Sequence, residues 1–226
     1  MILYHGSQEI IRNPVYGGGM PHNDYGSGFY CTEIADMGRE WAVRKDQDGF
    51  LNSYEMDTDG LSVLDLLSDE YTILHWLTIL IENRDFEVMS VLASEAKEYL
   101  AEHFRPDYDS FDLIIGYRAD DSYFSFAKDF LNGTISFRQL RNAMYLGKLG
   151  TQVMLKSEKS FEKIAFTGYE TVSSDEWFPL REKRDNAARE QYLDVERNRR
   201  QPGDIYITTI LDEQMKPGDD RLRKGD

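Results

Sequence analysis

Short strand signals punctuated by glycine stand at both ends of this chain, and its strongest helical periodicity lies between them. That order constrains the fold more than any other feature. Ile2-Leu3-Tyr4-His5-Gly6-Ser7 reads as a strand running into a glycine turn, and Gly26-Ser27-Gly28-Phe29-Tyr30-Cys31 as a second short strand after a glycine hinge. The loop between them holds Gly17-Gly18-Gly19 and Pro14 and Pro21, where no regular element persists. Late strands are predicted over residues 152–156, 163–167 and 205–211. Residues 50–56 and 61–67 read as a hairpin around Asp57-Thr58-Asp59-Gly60.

Between these, residues 70–83 carry Tyr71, Leu74, Leu77, Thr78 and Ile81 on one helical stripe. A further helix is predicted over 86–104, a buried strand over 111–117, and a helix capped by Ser122 and stopped by Asn132-Gly133. Ser136 and Gln139 have the spacing of a capping box for another, closed by Gly147. Thr32 caps an early helix with Ile34, Met37 and Trp41 on its apolar face, ending near 46–49. Strands at both ends with helices inserted between them indicate an α+β fold rather than a doubly wound sheet. The expected division is a domain over residues 1–170 and a helix–strand extension over 171–226, with a charged helix at 181–200 and a disordered tail from Lys216.

The apolar content, 41% over 226 residues, supplies one good core with a small appendage. No run of 18 apolar residues and no secretory pattern are present, and Cys31 is the single cysteine, so a cytoplasmic protein without disulfides or membrane association is expected. The net charge of −15 sits entirely in residues 1–180. Such a body repels phosphate backbones and disfavours broad nucleic-acid binding. His22, His75 and His103 have no ligand spacing, so no metal site is expected. There is no Walker string and no parallel-sheet dinucleotide fingerprint.

Three segments stand out as carriers of chemistry: Tyr4-His5-Gly6-Ser7, Gly26 to Tyr30 followed by Trp41, and Thr151-Gln152-Val153-Met154-Leu155, a polar residue leading an apolar strand. Their order and spacing resemble the ADP-ribosyltransferases, the superfamily of poly-ADP-ribose polymerases and diphtheria toxin. The resemblance covers residues 1–167. It is narrower with a bacterial group of unknown function sharing Gly-Phe-Tyr-x-Thr, Trp41-Ala42, Ile114-Ile115-Gly116 leading to Ala119-Asp120-Asp121, and glutamine in the third signature position.

The resemblance implies split antiparallel sheets with inserted helices, and NAD⁺ as co-substrate. It gives His5, Tyr30 and Gln152 the catalytic positions and His5, Gly6, Ser7, Tyr30 and Trp41 the NAD⁺-binding ones. Tyr30 and Trp41 would flank the cationic nicotinamide, Gly6 would let backbone approach it, and His5 would hold a ribose hydroxyl with Ser7 as helper. A serine that often stands three residues before the second aromatic is Gly38 here. Gln152 replaces a glutamate: it can hydrogen-bond but cannot act as a base. The resulting expectation is single ADP-ribose transfer to a macromolecule, a protein rather than a nucleic acid. The protein would be of the bacterial or phage toxin kind, with a small antitoxin-like partner. A catalytically silent NAD⁺- or ADP-ribose-binding module and an NAD⁺ glycohydrolase are the alternatives. Asp120 and Asp121 read either as a lent carboxylate or as a turn and helix cap.

Overall fold

The computed structural model describes every residue except 85–89, 120, 145–149, 194–196, 198 and 224–226, together with the backbone alone of 121–123. The expected helix start at Phe86, the stop at Gly147 and the Asp120 and Asp121 side chains therefore lie outside the described residues.

Among the described residues two sheets form. β1 (Ile2–Ser7), β3 (Gly49–Met56) and β7 (Ile164–Val172) make an antiparallel sheet in the order β1-β3-β7. β2 (Phe29–Cys31), β6 (Thr151–Leu155), β5 (Leu113–Tyr117) and β4 (Val63–Asp65) make a mixed sheet, in which only β4 and β5 run parallel. The fold is α+β, and the second sheet departs from the all-antiparallel expectation. The reason is the long connection from β4 to β5, which carries α2 (Ile73–Asn83) and α3 (Val91–His103) and so delivers β5 parallel to β4. The same chain path overturns the expected hairpin. The turn chemistry is real, with Asp57 accepting from Asp59 N at 2.9 Å and Gly60 at φ +76°. The strands it joins nevertheless pair in different sheets.

α2 is buried on every side from Ile73 to Ile81, which makes it the central core helix rather than a helix with one apolar stripe. Its N-terminus is closed by a reciprocal box: the Thr72 hydroxyl accepts from Leu74 N, and His75 Nδ1 accepts from Thr72 N at 2.9 Å. α4 (Asp121–Leu131) begins one residue before Ser122, so Ser122 lies within it, while Gly133 at φ +70° ends it as expected. The Ser136–Gln139 box opens α5 (Phe137–Ala143) as the spacing predicts.

α1 (Ala35–Ala42) stops four residues short of the expected end. It buries Gly38, Glu40 and Ala42, not Ile34, Met37 and Trp41, because its packing face is turned onto β1 and β3 and Ile34 is 43% exposed. α6 (Glu158–Glu162) joins β6 to β7. α7 (Ser174–Gln191) is mostly exposed and anchored to α1 by Arg184 Nη1, 2.8 Å from Glu40 Oε2.

Residues 207–212 form a helix, α8 (Ile207–Asp212), rather than the expected strand. Ile207 and Ile210, three apart, are both fully buried in the core built around α2, so one helical face satisfies the run. Nor is the segment from Lys216 to Arg223 structureless: Leu222 is fully buried in that same core, as are Tyr192 and Met215. No described helix is long and apolar enough to cross a membrane.

Candidate functional site

The two sheets meet where β1 crosses β2. Tyr4 and Thr32 exchange backbone hydrogen bonds of 2.8 and 2.9 Å. Beside this junction opens a cavity of about 590 Å³, lined by His5, Phe29, Tyr30, Trp41 and Gln152, by loop residues between Ile11 and Asp24, and by Arg84, Arg118 and Ala119. Four elements, β1, β2, α1 and β6, thus converge on it together with the loops beside them, contributing residues more than 140 positions apart in the sequence.

His5 is held by its ring. Nδ1 lies 2.6 Å from the Tyr30 carbonyl, and the ring stacks on Phe29 at 4.4 Å between centroids. A carbonyl only accepts, so Nδ1 carries the proton and Nε2 is left as an acceptor. Burial lowers the imidazole's affinity for a second proton, outweighing the Tyr30 hydrogen bond, and keeps it neutral. The Tyr30 hydroxyl is committed locally: it donates to Gly26 O at 2.6 Å and accepts from Tyr25 N at 3.0 Å, closing the glycine hinge. Burial pushes its pKa up, so it stays a neutral phenol. Trp41 carries the Arg118 guanidinium over its ring at 4.9 Å. Its indole N–H is buried with no acceptor among the described residues.

Gln152 sits opposite Gly116 in the β5–β6 ladder and is 3% exposed. Its Nε2 donates to Asp24 Oδ2 at 2.9 Å and to the Tyr117 carbonyl at 3.2 Å. That carbonyl also accepts from the Tyr25 hydroxyl at 2.5 Å and from Trp76 Nε1 at 2.9 Å. The absent side chain at Gly116 is what admits Tyr25, whose hydroxyl stands 2.3 Å from where a Cβ would be. Asp24 is itself buried. Oδ2 also accepts from Ala119 N at 2.9 Å, and Oδ1 from Arg84 Nε at 3.0 Å. Arg84 caps the end of α2 and lies over the Phe124 ring at 4.9 Å.

His5, Tyr30, Trp41 and Gln152 are therefore brought together, while Gly6 and Ser7 are not at the cavity wall. Gly6 faces α1: a Cβ there would stand 2.0 Å from Gly38 O and 2.5 Å from Ala42 N. Ser7 Oγ donates to Glu9 O at 2.5 Å and accepts from Asn52 Nδ2 at 3.2 Å. Gly38 faces Leu51 and Tyr4, so its position addresses the β1–β3 core and not the cavity.

Sequence reasoning missed Asp24, Arg84 and Arg118, and also Asn52. Fully buried, Asn52 donates to Glu9 O and accepts from Ile11 N, pinning the loop that forms one cavity wall. Asp24 is one of two acids, with Glu9, between the first two signature segments, and no local pattern sets it apart. Among the described residues no group of three or more His, Cys, Asp or Glu stands where it could hold a metal ion.

Residues 1–166 match the model of a family described as a protein of unknown function (DUF3990). No curated protein and no solved structure matches the chain.

Proposed function

The chain belongs to the DUF3990 family, and we propose that it is a mono-ADP-ribosyltransferase using NAD⁺ to modify a macromolecular acceptor. The observation that carries this reading is the convergence of His5, Tyr30, Trp41 and Gln152, from four separate elements, on one cavity. Its volume falls within the roughly 300–1,000 Å³ of small-molecule sites. The split between two sheets at the Tyr4–Thr32 crossing supports an ADP-ribosyltransferase-like architecture.

The residues fit the dinucleotide. The buried Trp41 N–H is a donor in need of an acceptor, and a carboxamide or ribose oxygen would supply one. The Tyr30 ring and the Trp41 face that Arg118 does not cover offer aromatic surface to a cationic ring; Arg84, which also holds Asp24, and Arg118 are the cations lining the cavity that a diphosphate would meet. NAD⁺ supplies a glycosidic bond whose cleavage sends the electron pair to nicotinamide, while C1′ bonds to the acceptor's nucleophile and that nucleophile loses a proton. His5 accepts a ribose hydroxyl at Nε2. Gln152 accepts one at Oε1, since both its amide hydrogens are engaged elsewhere. No base stands at position 152, so chain elongation, which needs an activated ribose hydroxyl, is not part of this reading.

The net charge of −15 favours a protein acceptor over a nucleic acid. A toxin role with a small cognate protein that silences it belongs to the same proposal. The uncharged residue at position 152 favours a second reading, a silent NAD⁺- or ADP-ribose-binding module. Labelled NAD⁺ incubated with the purified chain and a cell lysate separates these. Label removed by protease supports the proposal, and label removed by nuclease moves the acceptor to nucleic acid. Free ADP-ribose alone indicates a glycohydrolase. Binding without nicotinamide release indicates the silent module. An unchanged melting curve at millimolar NAD⁺ removes the site altogether, because saturation at one hundred times the Kd adds about 2.7 kcal/mol.

A further inference from the structure

We infer that Asp24 is the carboxylate of this site, acting through Gln152 as a positioning residue; the inference rests on the NAD⁺-cavity reading. A glutamine amide has two hydrogens and one acceptor oxygen. In Gln152 the nitrogen faces two groups that can only accept, Asp24 Oδ2 and the Tyr117 carbonyl. The flipped amide would set oxygen against oxygen at both contacts, so the orientation is fixed and Oε1 is the atom left for the cavity that Gln152 lines. The negative charge that position 152 lacks stands one hydrogen bond away, on a carboxylate lining the same cavity. The groups facing Asp24 are Arg84 from the end of α2, Ala119 N beyond β5, and the neighbouring phenols Tyr25 and Tyr30. Arg118 lies on the same wall.

Asp24 and Gln152 thus form an acid–amide pair in which the amide donates and the carboxylate accepts. A consequence follows for the obvious gain-of-charge variant. Gln152→Glu sets a second carboxyl within hydrogen-bond distance of Asp24 Oδ2 with no hydrogen between them. Like charges that close cannot both persist, so the pair retains one proton at neutral pH and gains no net charge. Moving the charge to position 152 requires the exchange Asp24→Asn with Gln152→Glu. It preserves the net charge and lets the amide introduced at position 24 donate to the new carboxylate, at the cost of the bonds that Ala119 N and the Tyr117 carbonyl make in the wild type.

The test uses the full chain as wild type, Asp24→Asn, Gln152→Glu and the double variant. Two quantities are measured from pH 5.5 to 8.5: melting temperature without NAD⁺, and nicotinamide release with it. Gln152→Glu is expected to lose melting temperature as pH rises, relative to wild type, and the double variant to lose that pH dependence. Each single variant is expected to release nicotinamide at least tenfold more slowly at pH 7.5, with the double at least tenfold faster than Gln152→Glu. A double variant whose melting profile and rate equal the combined effects of the singles overturns the pairing. If no protein, wild type included, binds or cleaves NAD⁺, the transferase reading fails while the melting profiles still decide whether the pair exists.

Discussion

Gly6→Ala isolates the reason for a glycine that the family resemblance assigns to ligand approach. The new Cβ would stand 2.0 Å from Gly38 O, 2.5 Å from Ala42 N and 2.9 Å from Trp41 C, all of them main-chain atoms of α1. No rotamer change relieves these contacts. α1 must back away from β1 by about 1 Å or more to restore van der Waals distance, at the overpacking cost of roughly 1–3 kcal/mol. Gly6 does not have a positive φ, so alanine is compatible with the backbone and regains about 0.4–1 kcal/mol by restricting the unfolded chain. With three backbone clashes the upper end of the cost applies, and a net loss of about 2 kcal/mol is expected. For a chain of this length that corresponds to a fall in Tm of about 4–8 °C. Calorimetry and the urea midpoint measure it, and near-ultraviolet circular dichroism reports whether Trp41, carried by the displaced helix, changes environment. A Gly6→Ala protein that melts with the wild type yet no longer responds to NAD⁺ would refute the reasoning and return the glycine to the ligand.

Other expectations follow from separate parts of the molecule. Burial holds the pKa of His75 below its ordinary 6.5. As pH falls below 6.5 the unfolded chain therefore takes up a proton that the folded chain resists, and stability present above that value is lost. His5 acts in the same direction. His75→Gln keeps an acceptor for Thr72 N and should flatten part of the decline in Tm between pH 7 and 5; an unchanged slope would exclude His75 as its source. Leu222→Ala removes a fully buried side chain and should cost about 2–5 kcal/mol in a denaturant titration, whereas a wild-type midpoint would mean that the C-terminal segment does not belong to the core. Trp41→Phe should abolish any quenching of tryptophan fluorescence by NAD⁺, leaving Trp76 and Trp177 as silent reporters; persistent quenching would place the ligand elsewhere.

What the sequence reveals about this fold divides by range. The Ser136–Gln139 box and the Gly133 stop were legible because each rests on hydrogen bonds or backbone angles within a few residues. The hairpin at 57–60 misleads for the same reason: its turn chemistry is local and correct, but the choice of sheet on either side belongs to distant partners, β1 and β7 for β3 and β5 for β4. Residues 205–211 look like a strand from their β-branched side chains, and a core that accepts Ile207 and Ile210 from one helical face overrides that preference. At the cavity, His5, Tyr30 and Gln152 stand out where glycines or a polar residue interrupt apolar strands, and Trp41 on the helix that follows, but it is the family resemblance that joins them into one site. Asp24 does not stand out. It stands in a loop among other polar residues, and only the folded chain reveals that it is buried and bonded by three donors.

The Tyr117 carbonyl, which receives Tyr25, Trp76 and Gln152, is an oxygen that no codon change can delete. Every amino acid at position 117 would bring the same group, so mutating that position alone would miss the knot that ties the central helix to the cavity. The knot is exposed to mutation only through its donors. Among these, Trp76 belongs to the fully buried part of α2 and is not among the residues that line the cavity. A drifting lineage could therefore alter how Gln152 is held by changing a residue that looks like nothing more than core.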